Sequence, residues 1–141
     1  MNRTIENIVI HCSATKPNQD IGSKEIRSWH LANGWKDIGY HFVIRRNGKI
    51  ELGRSLDVRG AHVRGHNAAS IGVCYVGGVD ENLNPEDNRT AEQLRSMELL
   101  VSLLWAMFPD AEVLGHCDFP GVTKACPSFD VKNWLEAIRS S

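Results

Sequence analysis

Three side chains that are good zinc ligands, His11, His116 and Cys126, stand in two segments that are far apart in the chain. Zinc binds through nitrogen and sulfur, and a catalytic zinc takes three protein ligands and leaves its fourth position to water. Water on zinc loses a proton near neutral pH, so hydrolysis then needs no serine or cysteine nucleophile. The three residues predict a zinc hydrolase. The competing interpretation is two hydrogen-bonded histidines and one small buried cysteine.

Two further side chains suit the chemistry of a hydrolase. Lys124 stands two positions before Cys126. A cation next to a metal is unfavourable unless negative charge develops there, and such a lysine would stabilise the oxyanion of a tetrahedral intermediate. Tyr40 begins a predicted strand, and its phenol could donate to the same oxyanion or assist proton transfer. A solvated loop lysine and a half-buried strand tyrosine are the alternatives.

The remaining histidines leave the ligand set open. His62 and His66 lie in the glycine-punctuated segment 60–67, and loops of this kind bring polar groups to a ligand. Either of them could be the third metal ligand instead, because spacing does not exclude it. The alternative is a loop exposed to solvent. His30 and His41 are interpreted as structural.

Composition indicates one globular domain and excludes several functional classes. The chain has 141 residues, 42% apolar and 23% charged, which is ordinary for a globular protein that needs no disulfides. Its net charge of −1 gives no electrostatic case for binding nucleic acid or a membrane surface. The apolar run near the N-terminus is too short for a signal peptide, so we expect synthesis in the cytoplasm. The four cysteines form no scaffold pattern, which favours reduced thiols and one metal ligand.

Short apolar runs and one turn signal predict the strands. Ile8-Val9-Ile10 is typical of a buried strand, and this strand would end at His11. Asn47-Gly48 is a strong hairpin signal. The predicted strands are residues 5–11, 40–46, 49–52, 71–76 and 112–115.

Capping signals predict three helices, over residues 23–33, 90–108 and 130–138. Ser23 could cap the first, Thr90 begins a capping box for the second, and Asp130 or Ser128 could cap the third. Strands mixed with helices, with a hairpin between them, predict the class α/β (α+β): a central mixed β-sheet flanked by helices, in one domain over residues 1–141. The apolar residues predicted to form the buried face of the second helix are Leu94, Met97, Leu100, Val101, Leu104 and Phe108.

The order of these motifs resembles a known family, the zinc-dependent N-acetylmuramoyl-L-alanine amidases, whose pattern is shared by peptidoglycan recognition proteins. The likeness covers nearly the whole chain, and two segments look most like the bacteriophage lysozyme-type amidases: His11-Cys-Ser-Ala-Thr15 and Lys124-Ala-Cys-Pro-Ser-Phe-Asp130. The other segments that carry it are Arg27-x-Trp-His30, Gly34-Trp-x-Asp-Ile-Gly-Tyr-His-Phe42, Asn47-Gly48, Gly53-Arg54, Gly60-Ala-His62, Gly65-x-Asn67 and Ser70-Ile-Gly72.

The resemblance implies a role for each of the candidate residues. His11, His116 and Cys126 match the ligands of one Zn²⁺ per chain, and Tyr40 and Lys124 match the catalytic positions. The family fold is a mixed sheet flanked by helices, as expected above from the pattern alone.

Three further residues match substrate-binding positions of the family. His62 matches a residue that contacts the muropeptide in related recognition proteins, and Asn67 and His30 are weaker matches. The implied reaction is hydrolysis of the amide between the lactyl group of N-acetylmuramic acid and L-alanine of the stem peptide. The implied substrate is therefore peptidoglycan or a muropeptide.

The resemblance also sets the expected biological context. We expect cell-wall lysis, most simply by a prophage endolysin that is made in the cytoplasm and reaches the periplasmic wall after a holin, lysis or dedicated secretion releases it. We expect a monomer that binds neither nucleic acid nor membrane. Two alternatives stay open: a non-catalytic muropeptide-binding receptor, and a regulatory interaction protein that keeps the fold. If His11 and His116 converge from adjacent strand ends, Cys12 and Cys117 could lie together on the opposite face and form a disulfide.

Overall fold

The computed structural model describes residues 2–140, and its centre is a five-stranded mixed sheet. The strands in spatial order are β3, β2, β4, β1 and β5. Four strands run parallel, and β3 alone is antiparallel, because it returns from β2 through the hairpin turn. The prediction of a mixed sheet is therefore confirmed. The strand bounds are Asn7–Cys12 for β1, Phe42–Ile44 for β2, Ile50–Leu52 for β3, Ser70–Tyr75 for β4 and Glu112–Gly115 for β5.

Helices cover both faces of the sheet. They are α1 over Ser23–Ala32, α2 over Ala91–Met107 and α3 over Val131–Arg139, with two 3₁₀ turns at Asn67–Ala69 and His116–Asp118. The capping box that begins α2 is confirmed, because the Gln93 amide N–H donates to Thr90 Oγ1 and the Thr90 amide N–H donates to Gln93 Oε1. Within residues 2–140, no helix has the length and apolar character to cross a membrane.

Two of the predicted helix caps can be decided. Asp130, and not Ser128, caps α3, because its carboxylate accepts from the Asn133 amide. The prediction that Ser23 caps α1 was wrong. Gly22 occupies the cap, and the carboxylate of Glu25 accepts from the Gly22 amide instead.

The strand β1 contributes side chains to both faces of the sheet, because successive side chains of a strand point in opposite directions. Ile8 and Ile10 belong to the large core that packs against α2 and α3. Val9 lies on the other face, in a small cluster with Val63 and Leu114. His11 follows on the face of Val9, so the strand that builds the core also carries a ligand candidate to the opposite side.

The buried face of α2 is mostly as predicted. Met97, Leu100, Val101 and Leu104 are buried against the sheet. Leu94 is not, and 38% of its surface is exposed. Gln93 takes the buried place at this end of the helix, because its side-chain amide donates to the carbonyls of Ile44 and Val76. The need of these buried carbonyls for a hydrogen-bond donor, rather than the apolar periodicity of the helix, thus decides which residue is buried here.

Candidate active site

Two ligand candidates are brought together by the pairing of β1 with β5. These strands are parallel neighbours, so their carboxyl ends meet at one edge of the sheet, where sites in open α/β sheets form. The register pairs Ile10 with Gly115. His11 follows Ile10 and His116 follows Gly115, so the two histidines are neighbours. Their ring centroids are 4.7 Å apart.

Cys126 reaches this edge on a loop that is fixed by hydrogen bonds. The Cys12 amide N–H donates to Cys126 Sγ at 3.2 Å, and the Cys117 amide N–H donates to the Cys126 carbonyl at 2.8 Å. The next residue is held from the core, because the buried hydroxyl of Tyr75 donates to the Pro127 carbonyl at 2.6 Å. Backbone pairing therefore sets the position of the thiol.

One ligand atom from each of His11, His116 and Cys126 lies within 4.8 Å of the other two. A tetrahedral zinc with these ligand types needs its ligand atoms roughly 3.5 Å apart, so small side-chain shifts would complete the geometry. The group joins two imidazoles and one thiol, a donor set that suits zinc and other borderline metals. The cluster can hold a metal ion and leave one coordination position toward the cleft.

The protonation of these groups fits ligation. Burial lowers the pKa of His11 well below its ordinary value, and burial together with Lys124 lowers the pKa of His116, so both imidazoles are neutral at pH 7. The Cys12 thiol and burial raise the pKa of the Cys126 thiol well above its ordinary value. A thiolate at Cys126 therefore needs a bound cation, which is what a divalent metal supplies.

The cluster opens into a cleft of about 750 Å³. Lys124 lines this cleft and is exposed to solvent, so its ammonium group can reach a bound substrate. The sequence placed Lys124 close to the metal-ligand candidates, and the structure has both Lys124 and Cys126 among the residues that line the cleft.

Tyr40 also lines the cleft and lies next to His11. The two ring centroids are 5.1 Å apart. Burial raises the pKa of the Tyr40 phenol well above its ordinary value, and the neighbouring cysteine thiols add to the effect. The phenol therefore keeps its proton at neutral pH and can act as a hydrogen-bond donor.

The three substrate-binding candidates also line the cleft, but their polar atoms are largely engaged within the protein. His62 Nδ1 lies 2.8 Å from His11 Nε2. Asn67 Oδ1 accepts from the backbone amides of His62 and Val63, each at 2.9 Å. His30 Nδ1 accepts from the Gly39 amide at 2.8 Å. Asn67 thus shapes the loop that carries His62, and His30 is tied to the backbone before Tyr40.

The other two histidines lie outside the ligand cluster. His41 is buried, with Nδ1 accepting from the Gly72 amide at 3.0 Å and Nε2 lying 2.8 Å from the Val58 carbonyl oxygen. His66 packs on Phe119, with ring centroids 4.5 Å apart. The structure therefore gives His41 a structural place, as expected, and does not bring His66 to the ligand cluster.

Sequence reasoning missed Arg64, which lines the cleft and is exposed. No Asp or Glu occurs among the described residues that line the cleft, although the chain has 17 acidic residues. Arg64 and Lys124 therefore make the cleft cationic in a protein of net charge −1. The signal in the sequence was the segment 60–67, which carries Arg64 and two histidines but no acid.

The cysteines give no sign of the disulfide considered above, and the four of them are free in the part of the chain that is described. Cys12 Sγ lies 3.9 Å from Ser128 Oγ. Cys117 Sγ lies 3.9 Å from Asp118 Oδ1, on the second 3₁₀ turn. Cys12 thus neighbours the Cys126 loop rather than pairing with Cys117.

Comparison with known proteins gives consistent matches. A family model described as N-acetylmuramoyl-L-alanine amidase matches residues 1–129. The endolysin of Klebsiella phage KP32 is 49% identical over 129 residues, which are 92% of this chain and 84% of that protein. The N-acetylmuramoyl-L-alanine amidase LysC from Clostridium intestinale superposes with a TM-score of 0.82 at 26% identity, covering 98% of this chain and 87% of the other. The bumblebee peptidoglycan recognition protein PGRP-SA superposes with a TM-score of 0.75 at 26% identity, covering 96% and 84%.

Proposed function

The chain belongs to the N-acetylmuramoyl-L-alanine amidase family, and from this premise we propose that its hydrolysis of the amide between N-acetylmuramic acid and L-alanine depends on one Zn²⁺. His11, His116 and Cys126 would hold the ion. The observation that supports this most strongly is the approach of their three ligand atoms to within 4.8 Å of one another, in residues that line the cleft. Zinc in such a site lowers the pKa of bound water and polarises a carbonyl.

Lys124 and Tyr40 are proposed to stabilise the charge that develops on the carbonyl oxygen of the scissile amide. Both line the cleft beside the ligand cluster. Lys124 contributes an exposed cation, and Tyr40 contributes a phenol that keeps its proton. Donors that strengthen their interaction as the oxygen gains charge lower the barrier more than they tighten substrate binding.

The remaining walls of the cleft suit a muropeptide. The absence of carboxylates among the described lining residues, together with Arg64, favours the acidic stem peptide. The rings of His30 and Trp35 have centroids 4.5 Å apart and an interplanar angle of 46°, and together they form an aromatic wall. We propose that His30 contacts substrate through this wall. Asn67 and His62 would shape the adjacent loop, and the exposed part of that loop would touch the peptide.

The proposed context follows that of the phage endolysins among its relatives. The protein would act as a monomer on peptidoglycan, without a nucleic-acid or membrane partner. It would be made in the cytoplasm and would degrade the periplasmic wall after a holin, lysis or dedicated secretion releases it. The resulting activity is bacteriolytic.

Digestion of purified peptidoglycan, with and without a zinc chelator, tests the proposal when the soluble products are identified by mass spectrometry. Free stem peptides with a new L-alanine amino terminus should appear, disappear on chelation and return with added zinc. Cys126→Ser should abolish both zinc binding and turnover. Cys117→Ser is the matched control, since this thiol lies outside the ligand cluster. Intact muropeptides from folded, zinc-loaded protein would instead favour a receptor.

A further inference from the structure

The two ring nitrogens of His11 face different partners. Nδ1 lies 3.9 Å from Cys126 Sγ, and Nε2 lies 2.8 Å from His62 Nδ1. Because Nδ1 faces the thiol, it is the nitrogen whose lone pair can serve the metal. Nε2 then carries the proton of the neutral imidazole, and this N–H donates a hydrogen bond to His62 Nδ1. The hydrogen bond between the rings therefore keeps the proton on Nε2 and leaves Nδ1 of His11 free to bind the metal.

The ring of His62 is held in place from several sides. Its backbone amide donates to Asn67 Oδ1 at 2.9 Å, which anchors the start of the loop. A Cβ at Gly72 would lie 2.8 Å from the His62 ring, and one at Gly60 would lie 2.7 Å from it, so only glycine fits at either position. The ring of His41 closes the far side in an edge-to-face arrangement, with centroids 5.9 Å apart. His62 therefore presents Nδ1 to His11 in one fixed orientation.

The other nitrogen of His62 does not face the open cleft, although the residue lines it. Nε2 is buried and has no hydrogen-bond partner among the described residues. If Nδ1 accepts from His11, Nε2 carries the single ring proton of neutral His62 and is a buried donor without a partner among these residues. Such a group costs free energy, and the arrangement is stable only if the bond on Nδ1 and the packing of the ring outweigh that cost.

We propose that His62 is a positioning residue, which fixes His11 in the tautomer that offers Nδ1 to the metal; this rests on the function proposed above. Metal-bound histidines usually donate their second N–H to a carboxylate, a carbonyl or water. Here the acceptor is a neutral imidazole. It orients His11 without adding negative charge, so Cys126 remains the single anionic ligand of the three. Compared with a carboxylate acceptor, this would leave a bound zinc ion with more of its positive charge, which would favour deprotonation of water and attraction of the carbonyl oxygen.

Two amide substitutions separate this role from substrate contact. His62→Asn places an oxygen acceptor where Nδ1 stands, whereas His62→Gln places its acceptor farther out, near the position of Nε2. The dissociation constant for zinc, measured by competition with a chromophoric chelator, should rise about 10- to 100-fold in His62→Gln, as for other lost partners of metal-bound histidines. His62→Asn should stay within a few-fold of the wild type. His66→Asn, in the same loop but outside the cluster, is the control and should leave the constant unchanged.

A direct readout of the tautomer completes the test. Long-range ¹H–¹⁵N correlation spectra of the zinc-loaded protein should show metal on His11 Nδ1 and a proton on Nε2 in the wild type and in His62→Asn. Metal on Nε2 would overturn the proposal. So would an unchanged zinc constant in His62→Gln with only KM raised, because that pattern indicates substrate contact. Circular dichroism of the metal-free variants checks folding. Zinc binding by the wild type, and its loss in Cys126→Ser, test the zinc site itself. The change in the zinc constant of His62→Gln then tests the role of His62 separately.

Discussion

The two faces of the central sheet are buried to a similar degree at β1 but hold different chemistry. On the face covered by α2 and α3, Ile8 and Ile10 are fully buried among apolar side chains. On the other face, His11 is 1% exposed and His41 is 1% exposed, and both are hydrogen-bonded. Burial by itself therefore does not distinguish core from site. The difference lies in what each buried group needs from its neighbours.

The apolar face needs only close packing, whereas the histidine face needs specific partners. Buried polar groups are stable when they are hydrogen-bonded, and the chain supplies these bonds from loops. Burial lowers the pKa of His41 to about 4 and of His62 to about 3. The imidazoles on this face are therefore neutral hydrogen-bond donors and acceptors at pH 7. Neutral imidazoles suit metal ligation, and their protonation in acid should destabilise this face.

The largest effect is expected on the histidine side, from Lys124→Ala. Loss of one donor to a developing oxyanion costs about 10²–10³ in kcat, and zinc binding should persist because Lys124 is not a ligand candidate. Steady-state kinetics on a soluble muropeptide, with metal analysis of the same sample, checks both parts. Lys132→Ala, an exposed lysine on α3, is the control. Full turnover by the Lys124 variant would remove this residue from the mechanism.

A truncation on the apolar face should give the opposite pattern. Leu104→Ala removes a side chain that is 2% exposed in the α2 core, so the free energy of unfolding should fall by about 3 kcal/mol. The zinc constant and kcat should not change at a temperature where the variant is folded. Leu103→Ala is the matched control, because Leu103 is 55% exposed. A large loss of zinc affinity in the Leu104 variant would show that the two faces are coupled.

Acid should destabilise the metal-free protein through the histidine face. An unfolded histidine titrates near pH 6.5, whereas the pKa of folded His41 is lowered to about 4. Between these values the unfolded chain binds more protons, so the free energy of unfolding falls as the pH falls from 7 to 5, by about 2 kcal/mol for this group. Urea unfolding of wild type and His41→Gln at both pH values, with chelator present, measures the difference. An equal fall in both proteins would contradict the assignment to His41.

The smallest effect is expected from a polar group on the apolar side. Thr90→Ala removes the cap of α2 and the hydrogen bond from Thr90 Oγ1 to the Arg46 carbonyl, which should cost about 1 kcal/mol. Thr90→Ser keeps the hydroxyl and should be close to the wild type in chemical denaturation. An unchanged kcat would show that polar groups on this side are structural. A loss of activity beyond the loss of folded protein would break the distinction between the two faces.

Local signals in the sequence account for most of the elements. The β-branched run of β1, the Asn47-Gly48 turn and the Thr90 capping box depend on near neighbours, so their positions follow from residues close in the chain. The errors occur where distant groups compete. At the start of α1 the Ser23 amide donates to the carboxylate of Glu51 on β3, and Leu94 is exposed because the side chain of Gln93 donates to the carbonyls of Ile44 and Val76.

The sequence by itself determined the family, the class of sheet and the residues with ligand chemistry, because residue types at fixed spacings carry that information. Only the tertiary structure decided how these residues meet. The parallel pairing of β1 with β5 joins His11 to His116, and a loop held from the core brings Cys126 to them. The contact between His11 and His62, and the lack of acids around Arg64, arise between segments far apart in the chain. No local pattern specifies such contacts, since they depend on how the sheet and its loops close around the cleft.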